Sequence, residues 1–265
     1  MSATTPLRFD IVTIFPGFFQ GPFEFGMVRQ ALRKNLVSVA IHDLRDHAGD
    51  RHRTVDDRPF GGGEGMVLKP EPLFRAVGSI ASQDCSFPAC RTILLSAQGR
   101  RLTQDTVREL ADCRRLILIC GRYEGVDERV TDHLATDEIS IGDYVLSGGE
   151  LAACVLVDCI VRMVPGVLRN RCSNLNESFS RPLAATRPTG RVQAPAILDH
   201  PQYTRPESFQ GLDVPPLLLS GDHRKIELWR RRKALEKTLR NRPDLLEYGC
   251  LSEQDKRLLE TEFEA

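Results

Sequence analysis

The chain has no Cys-X-X-Cys pair, no histidine-rich partner spacing, no internal repeat and no apolar run long enough to span a membrane. Its eight cysteines (Cys85, Cys90, Cys113, Cys120, Cys154, Cys159, Cys172, Cys250) are scattered, which excludes a zinc ribbon and a stapled disulfide framework. The apolar run Leu151–Val157 is broken by Asp158 and Arg162, far short of a bilayer. Met1-Ser-Ala-Thr-Thr-Pro6 lacks the basic start and apolar stretch of a secretion signal. These absences predict a reduced, soluble, cytoplasmic protein with no membrane partner and no metal ligands. Net charge is absent too, with 36 Lys and Arg against 36 Asp and Glu, so no global field attracts nucleic acid.

What is present is glycine at the ends of strand-like runs. Ser140-Ile-Gly-Asp-Tyr-Val-Leu-Ser-Gly-Gly-Glu150 lies between a strand signal and an apolar helix signal. Gly121-Arg-Tyr-Glu-Gly125 follows Leu116–Cys120, and Ser96-Ala-Gln-Gly99 follows Thr92–Leu95. None of the three has the dinucleotide fingerprint or the Gly-Lys-Ser/Thr ending of a phosphate loop. Strand ends need some glycine in any fold, so one such loop carries little weight. Three on successive strands of a parallel sheet point to a composite crevice, because ligand sites form at the carboxyl ends of strands. Tyr123 and Tyr144 offer aromatic walls and Glu124 a carboxylate, suited to a nucleoside-like ligand held by backbone contacts.

The order of elements supports that frame. Strands are predicted at 7–14, 37–42, 92–95, 116–120 and 138–141, and helices at 26–34, 70–80, 103–111, 126–133 and 149–162. Alternation of this kind predicts an α/β fold with a mostly parallel sheet flanked by helices. The charged segment 43–65, with Arg51, Arg53, Arg58 and Gly61–Gly63, is too long for a plain connection. It reads as either a solvated surface loop or an anion-gripping segment, the second favoured by its glycines. After Pro165-Gly166 periodicity fades, and helices return at 206–211, 226–240, 243–248 and 252–263. Residues 1–168 are therefore assigned to the α/β domain, 169–203 to a linker, and 204–265 to a small all-α domain.

The neutral total hides a basic stretch. Between Arg224 and Arg242 nine Lys/Arg stand against two Glu. Ile226, Trp229, Leu235 and Leu239 fit an apolar stripe, leaving Arg230, Arg231, Arg232, Lys233 and Lys237 on wet faces. A solvated helix face is one reading, and a surface for a phosphate backbone is the favoured one. By pattern alone Arg162 is a helix C-terminal charge and Glu177 a loop carboxylate.

Taken together, Ile14-Phe-Pro16, Asp50–Met66, Leu95–Gly99, Leu118–Arg129, Ser140–Leu151, Val164–Val167, Pro201–Pro206 and Val214–Gly221 resemble the bacterial tRNA (guanine-N1)-methyltransferases of the TrmD type. The segments cover nearly the whole chain in that family's order. The resemblance implies a SPOUT-type domain tied in a trefoil knot, a homodimer with each site completed by the partner subunit, and tRNA as substrate. It implies S-adenosyl-L-methionine held by Leu95, Ser96, Gln98 and Gly99, by Gly121, Tyr123, Glu124 and Gly125, and by Ser140, Ile141, Gly142, Tyr144, Leu146, Gly148 and Gly149. It further implies Mg2+ dependence, and methyl transfer to N1 of guanosine 37 beside the anticodon, with guanosine 36 part of recognition. Glu177 matches the family's catalytic aspartate with one extra methylene, and Arg162 its catalytic arginine. Glu64 and Ala152 stand where relatives often carry proline, and the Ser180–His200 stretch is longer than the family pattern. Two other readings stay open on the residues alone. One is a methyltransferase of the same fold acting on another RNA position; the other is a nucleic-acid-binding module without catalysis.

Overall fold

A computed structural model describes residues 6–81, 88–168, 177–180, 196–247 and 251–260. The chain divides into two compact units, residues 1–169 and 170–265. The first unit is built on five strands: β1 (Leu7–Thr13), β2 (Val37–Asp43), β5 (Cys90–Arg101), β6 (Arg115–Cys120) and β7 (Asp137–Ser140). They pair in the order β2-β1-β6-β5-β7, every neighbour parallel. Two-residue strands β3 (Asp56–Asp57) and β4 (Val67–Leu68) form a separate antiparallel pair.

Both faces of the sheet are covered, which is why the inner strands read as near-continuous aliphatic runs. Alternate residues serve different cores. Phe9, Ile11, Ile93, Leu95, Leu116 and Leu118 face one core, and Val12, Ile14, Leu94, Ile117 and Ile119 the other. Helices α1 (Gly26–Arg33), α3 (Gln104–Ala111) and α5 (Glu150–Met163) pack on the first face. Helices α2 (Pro70–Ala81) and α4 (Glu128–His133) pack on the second. Thr103 and Asp127 cap α3 and α4 by accepting from the backbone N–H of Thr106 and Arg129. Along α5 the buried Ala153, Leu156, Val157, Ile160 and Val161 repeat at helical spacing. Burying each large chain of that stripe contributes roughly 1.5–3 kcal/mol.

Several boundaries differ from the sequence reading. The expected loop Ser96–Gly99 is a bulge inside β5, which runs on to Arg101 after a register break between Leu95 and Arg100. Short 3-10 turns at Pro16–Phe19 and Leu44–His47 were not signalled by periodicity, which needs more than one turn to register. Cys90 is disulfide-bonded while Cys113, Cys120, Cys154 and Cys159 are free. The expectation of fully reduced thiols fails there because linear spacing does not report which thiols a fold brings together. Among the described residues no helix is long and apolar enough to cross a membrane.

The second unit contains α6 (Pro216–Leu219), α7 (His223–Asn241), α8 (Asp244–Glu247) and α9 (Glu253–Glu260). It is not wholly α. Residues 206–211, read as a helix, instead enter a hairpin of β8 (Ser208–Phe209) and β9 (Leu212–Asp213), turned by Gln210 and Gly211 with positive φ. The apolar stripe of α7 also shifts. Leu239 is 54% exposed, and Thr238 takes the inward place, donating to the Ala234 carbonyl and accepting from Leu198 N–H. The packing of Ile197 against Ala234, Leu235 and Leu258 swings the buried face toward Thr238. Part of the stretch read as linker is thus integral to this unit.

Each unit holds a buried aspartate. Burial opposes ionisation of Asp10, but hydrogen bonds from His42 and Arg8 outweigh it and hold its carboxyl below the usual range. Asp255 behaves alike: burial is outweighed by the paired hydrogen bonds from Arg231. A lowered carboxyl pKa contributes stability above its unfolded value, about 4. That contribution is lost as pH falls through the lower folded value. Asp10→Asn is expected to lose stability at neutral pH and to flatten the acid limb, read as urea midpoints between about pH 6 and pH 3.

Candidate functional site

A cavity of about 340 Å³ opens at the carboxyl ends of β5, β6 and β7. Leu95, Ser96 and Gln98 line it from β5, Gly121, Tyr123, Glu124 and Gly125 from the loop after β6, and Ser140, Ile141, Gly142, Tyr144, Leu146, Gly148 and Gly149 from the loop before α5. Gly99 stands behind this wall. A Cβ there would lie 2.5 Å from the Glu138 carbonyl carbon, so glycine is what lets the β5 bulge cross β7.

Each wall has its own internal support. Ser96 Oγ accepts from Gln98 N–H at 3.1 Å, which fixes the bulge. Ser140 Oγ donates to the Gly142 carbonyl at 3.0 Å, and Tyr144 N–H donates to the same carbonyl at 2.9 Å. Tyr123 sits at φ +59, a left-handed conformation uncommon for an aromatic residue. It is held because Gly125 N–H returns to the Arg122 carbonyl and Glu124 N–H donates to the Met66 carbonyl. Leu68 and Val126 add a parallel bridge, so the long segment after β2 is docked against this loop. Tyr123 and Tyr144 both remain about half exposed at the mouth, at 51% and 55%.

The lining is acidic. Glu124, Glu128 and Glu138 are present, and the sole cationic side chain among the described lining residues is Arg122. That guanidinium is engaged by Glu150, with Nε and Nη2 each 2.9 Å from Oε2. Sequence reasoning singled out none of Arg122, Glu128 and Glu138, although the first two lie within the Leu118–Arg129 segment; only the fold brings the three to one cavity. Nearby thiols are inert. Burial, with Glu150 and Cys154 alongside, pushes the Cys120 thiol well up, and burial with Glu150 raises Cys154 to about 11. Neither is a nucleophile near neutral pH.

The two candidate catalytic residues lie outside the cavity lining. Arg162 is half-buried in the last turn of α5 in the first unit. Glu177 belongs to the second unit, half-buried, its carbonyl accepting from Ser180 N–H at 3.0 Å. Within the 43–65 segment, Arg53 is paired with Asp43 and Asp46, whereas Arg51 and Arg58 are exposed. In α7, Arg231 forks onto Asp255, and Arg232 and Lys233 share Glu236, so these three are less free than a wet face would leave them. Arg224, Lys225, Arg230 and Arg240 stay exposed. Among the described residues no group of three or more His, Cys, Asp or Glu is arranged to hold a metal ion.

The crossover into α5 brings backbone against backbone. Gly149 N–H donates to the Gly121 carbonyl at 2.9 Å, and a Cβ at Gly149 would fall 2.7 Å from the Cys120 Cα. Gly149→Ala is expected to cost about 1–3 kcal/mol by overpacking a backbone that cannot yield. The check is a urea titration of the variant beside wild type; an unchanged midpoint would contradict the crowding.

Comparison with known proteins agrees with this architecture. The family model described as tRNA (Guanine-1)-methyltransferase TrmD matches residues 7–248. A protein of Dehalococcoides mccartyi named tRNA (guanine-N(1)-)-methyltransferase is 50% identical over 254 residues, covering 96% of each chain. Proteins of the same name from Dictyoglomus turgidum and Koribacter versatilis are 51% and 49% identical, covering 96% of this chain and 96% and 97% of theirs. A match of that length, running through both units and every wall of the cavity, makes this chain a member of the TrmD family of tRNA (guanine-1)-methyltransferases.

Proposed function

We propose that this enzyme transfers a methyl group from S-adenosyl-L-methionine to N1 of guanosine 37 in tRNA, with guanosine 36 part of recognition. The observation that carries the reading is the acidic three-loop cavity in a chain of this family. S-adenosylmethionine bears a sulfonium and an ammonium against one carboxylate, and when bound it supplies an electrophilic methyl group. Carboxylates of Glu124, Glu128 and Glu138 suit that charge, and Tyr123 and Tyr144 suit a purine face. Leu95, Gly121, Ile141 and Leu146 bring backbone to the same cavity wall, the kind of surface that meets a ligand's polar edges. The knot implied by the family is consistent with the way the 141–149 loop returns to the Gly121 carbonyl.

Guanine N1 holds a proton near neutral pH and is a poor nucleophile until it leaves. Glu177 is assigned as the base that takes it, and Arg162 as the cation that steadies charge developing on guanine O6. Neither Cys120 nor Cys154 competes as a nucleophile, so no covalent enzyme step is invoked. Among the described residues no group of three or more His, Cys, Asp or Glu is gathered to hold a divalent cation. Exposed cations of α7 are assigned to the tRNA backbone, whose phosphates carry most of the affinity of such contacts.

Labelled donor and tRNA transcripts test this directly. Label is expected in N1-methylguanosine from a guanosine-37 transcript and lost when that base is changed; methylation at a ribose or another base would favour a different RNA position. Glu177→Gln and Arg162→Ala should each cut turnover by about 10²-fold or more, with donor affinity in calorimetry within about twofold of wild type.

The enzyme is further proposed to work as a homodimer. In the first unit Pro22, Phe23, Val28, Cys154, Val155 and Cys159, with Asp158 among them, line a shallow and mostly apolar groove, and Leu151 and Val155 are 52% and 41% exposed on α5. An apolar face of this kind suits a self-complementary contact. Sedimentation should give a dimer for wild type and a monomer for Val155→Lys; an unshifted dimer would place the contact elsewhere.

A further inference from the structure

We infer that Glu150 is a positioning residue of the methyl-donor pocket, acting through Arg122 to lock the Gly121–Gly125 loop onto the Ser140–Gly149 loop. The inference rests on the proposal that this cavity takes S-adenosylmethionine. Glu150 opens α5 and is 1% exposed. Its Oε1 accepts from Thr13 Oγ1 at 2.7 Å, and its Oε2 accepts from Arg122 Nε at 2.9 Å. Thr13 Oγ1 in turn accepts from Phe15 N–H at 2.9 Å, and the Arg122 guanidinium lies 4.6 Å from the centre of the Phe15 ring. From there Arg122 Nη1 reaches the Ser147 carbonyl at 3.0 Å. It can do so because Gly148 has no side chain; a Cβ there would fall 2.1 Å from Arg122 Nε. The end of β1, two pocket loops and the start of α5 therefore meet on one buried carboxylate.

Stability alone does not account for this arrangement. A buried ion pair is commonly matched or bettered by well-packed apolar side chains, whereas removing one partner strands the other. What the pair supplies is geometry: a planar, forked donor tying two loops that both line the cavity. It also supplies charge control. Arg122 is the only cationic side chain among the described lining residues, and Glu150 pairs with that charge beside a cavity that takes a cationic ligand. Without the Glu150 charge the loops are untied and a guanidinium is released toward the ligand's sulfonium and ammonium groups. Both effects weaken binding of the donor.

The test is a double-mutant cycle on donor affinity, measured by calorimetry with S-adenosylmethionine on the full chain. Glu150→Gln and Arg122→Gln are each expected to weaken binding about tenfold, and the double variant is expected to bind no more weakly than either single. KM for the donor should rise while kcat at saturating donor stays within about twofold. A merely structural role would lower the unfolding midpoint and the active fraction while leaving the affinity of the folded remainder unchanged. Wild-type affinity in Glu150→Gln, or a double variant whose loss is the product of the single losses, overturns the inference. Should Glu150→Gln fail to fold, Arg122→Lys asks the same question, since an ammonium cannot fork onto Glu150 and Ser147 together; unchanged affinity there overturns it as well. Wild-type protein run in parallel separates the two readings. No binding by the wild type removes the donor assignment and this inference with it, while binding kept by the variants removes this inference alone.

Discussion

The hydrogen bond from Gly149 N–H to the Gly121 carbonyl is the contact on which the site depends. It marks where the chain, having left the edge strand β7, comes back over the end of β6 to begin α5. Backbone meets backbone there, with no room for a Cβ. The close approach does two things at once. It sets the first residue of α5 at the ends of the paired strands β1 and β6, where Glu150 finds Thr13 and Arg122. It also curls the preceding residues, Ser140 to Gly148, into the wall that faces Gln98 and Tyr123 across the cavity. Pocket shape and helix placement are therefore consequences of one crossing, not separate inventions of sequence.

Rigid support surrounds that crossing. Strands β1, β5 and β6 are buried on both faces, so the carbonyl ends that carry the loops cannot drift without disturbing two cores. The long segment after β2, read in sequence as an anion-gripping one, ends at Met66 and Leu68, which are hydrogen-bonded to the 121–127 loop. Gly65 belongs to the same junction: a Cβ would lie 2.6 Å from the Glu124 carboxylate. Its glycine has a reason of position as well as of flexibility.

The parallel sheet, the five main helices of the first unit and two of the three glycine loops were legible in the chain, because aliphatic runs and 3.6-residue spacing are local signals. What was not legible has a common cause. Ser96–Gly99 is a bulge and not a loop because β7 pairs with β5 on both sides of it. Thr238 displaces Leu239 from the inner face because Ile197 and Leu198, forty residues away, pack there. The 208–213 hairpin replaces a helix because Gln210 and Gly211 adopt positive φ, which overrides weak propensity. Arg122 and Glu150 sat inside quoted motifs and still went unremarked, since an ion pair between residues 28 apart has no signature in sequence. Arg162 and Glu177 are a different case. They gain meaning only from the family: one stands in the last turn of a helix and the other opens a short turn, positions that carry no signal of their own.

A chain with no net charge can still serve a cationic cofactor and an anionic polymer if the two charges are kept apart. The cavity carries glutamates and neutralises its one guanidinium internally, an arrangement that favours a sulfonium and disfavours phosphate. Such a cavity repels a phosphate backbone. The second unit offers Arg224, Lys225, Arg230 and Arg240 on one long helix, while Arg231, Arg232 and Lys233 of the same helix are committed to Asp255 and Glu236. Internal pairing thus reduces a run of nine basic residues to a smaller exposed set. The zero in the total charge therefore conceals an acidic cavity and a basic helix, two surfaces of opposite sign within one neutral chain.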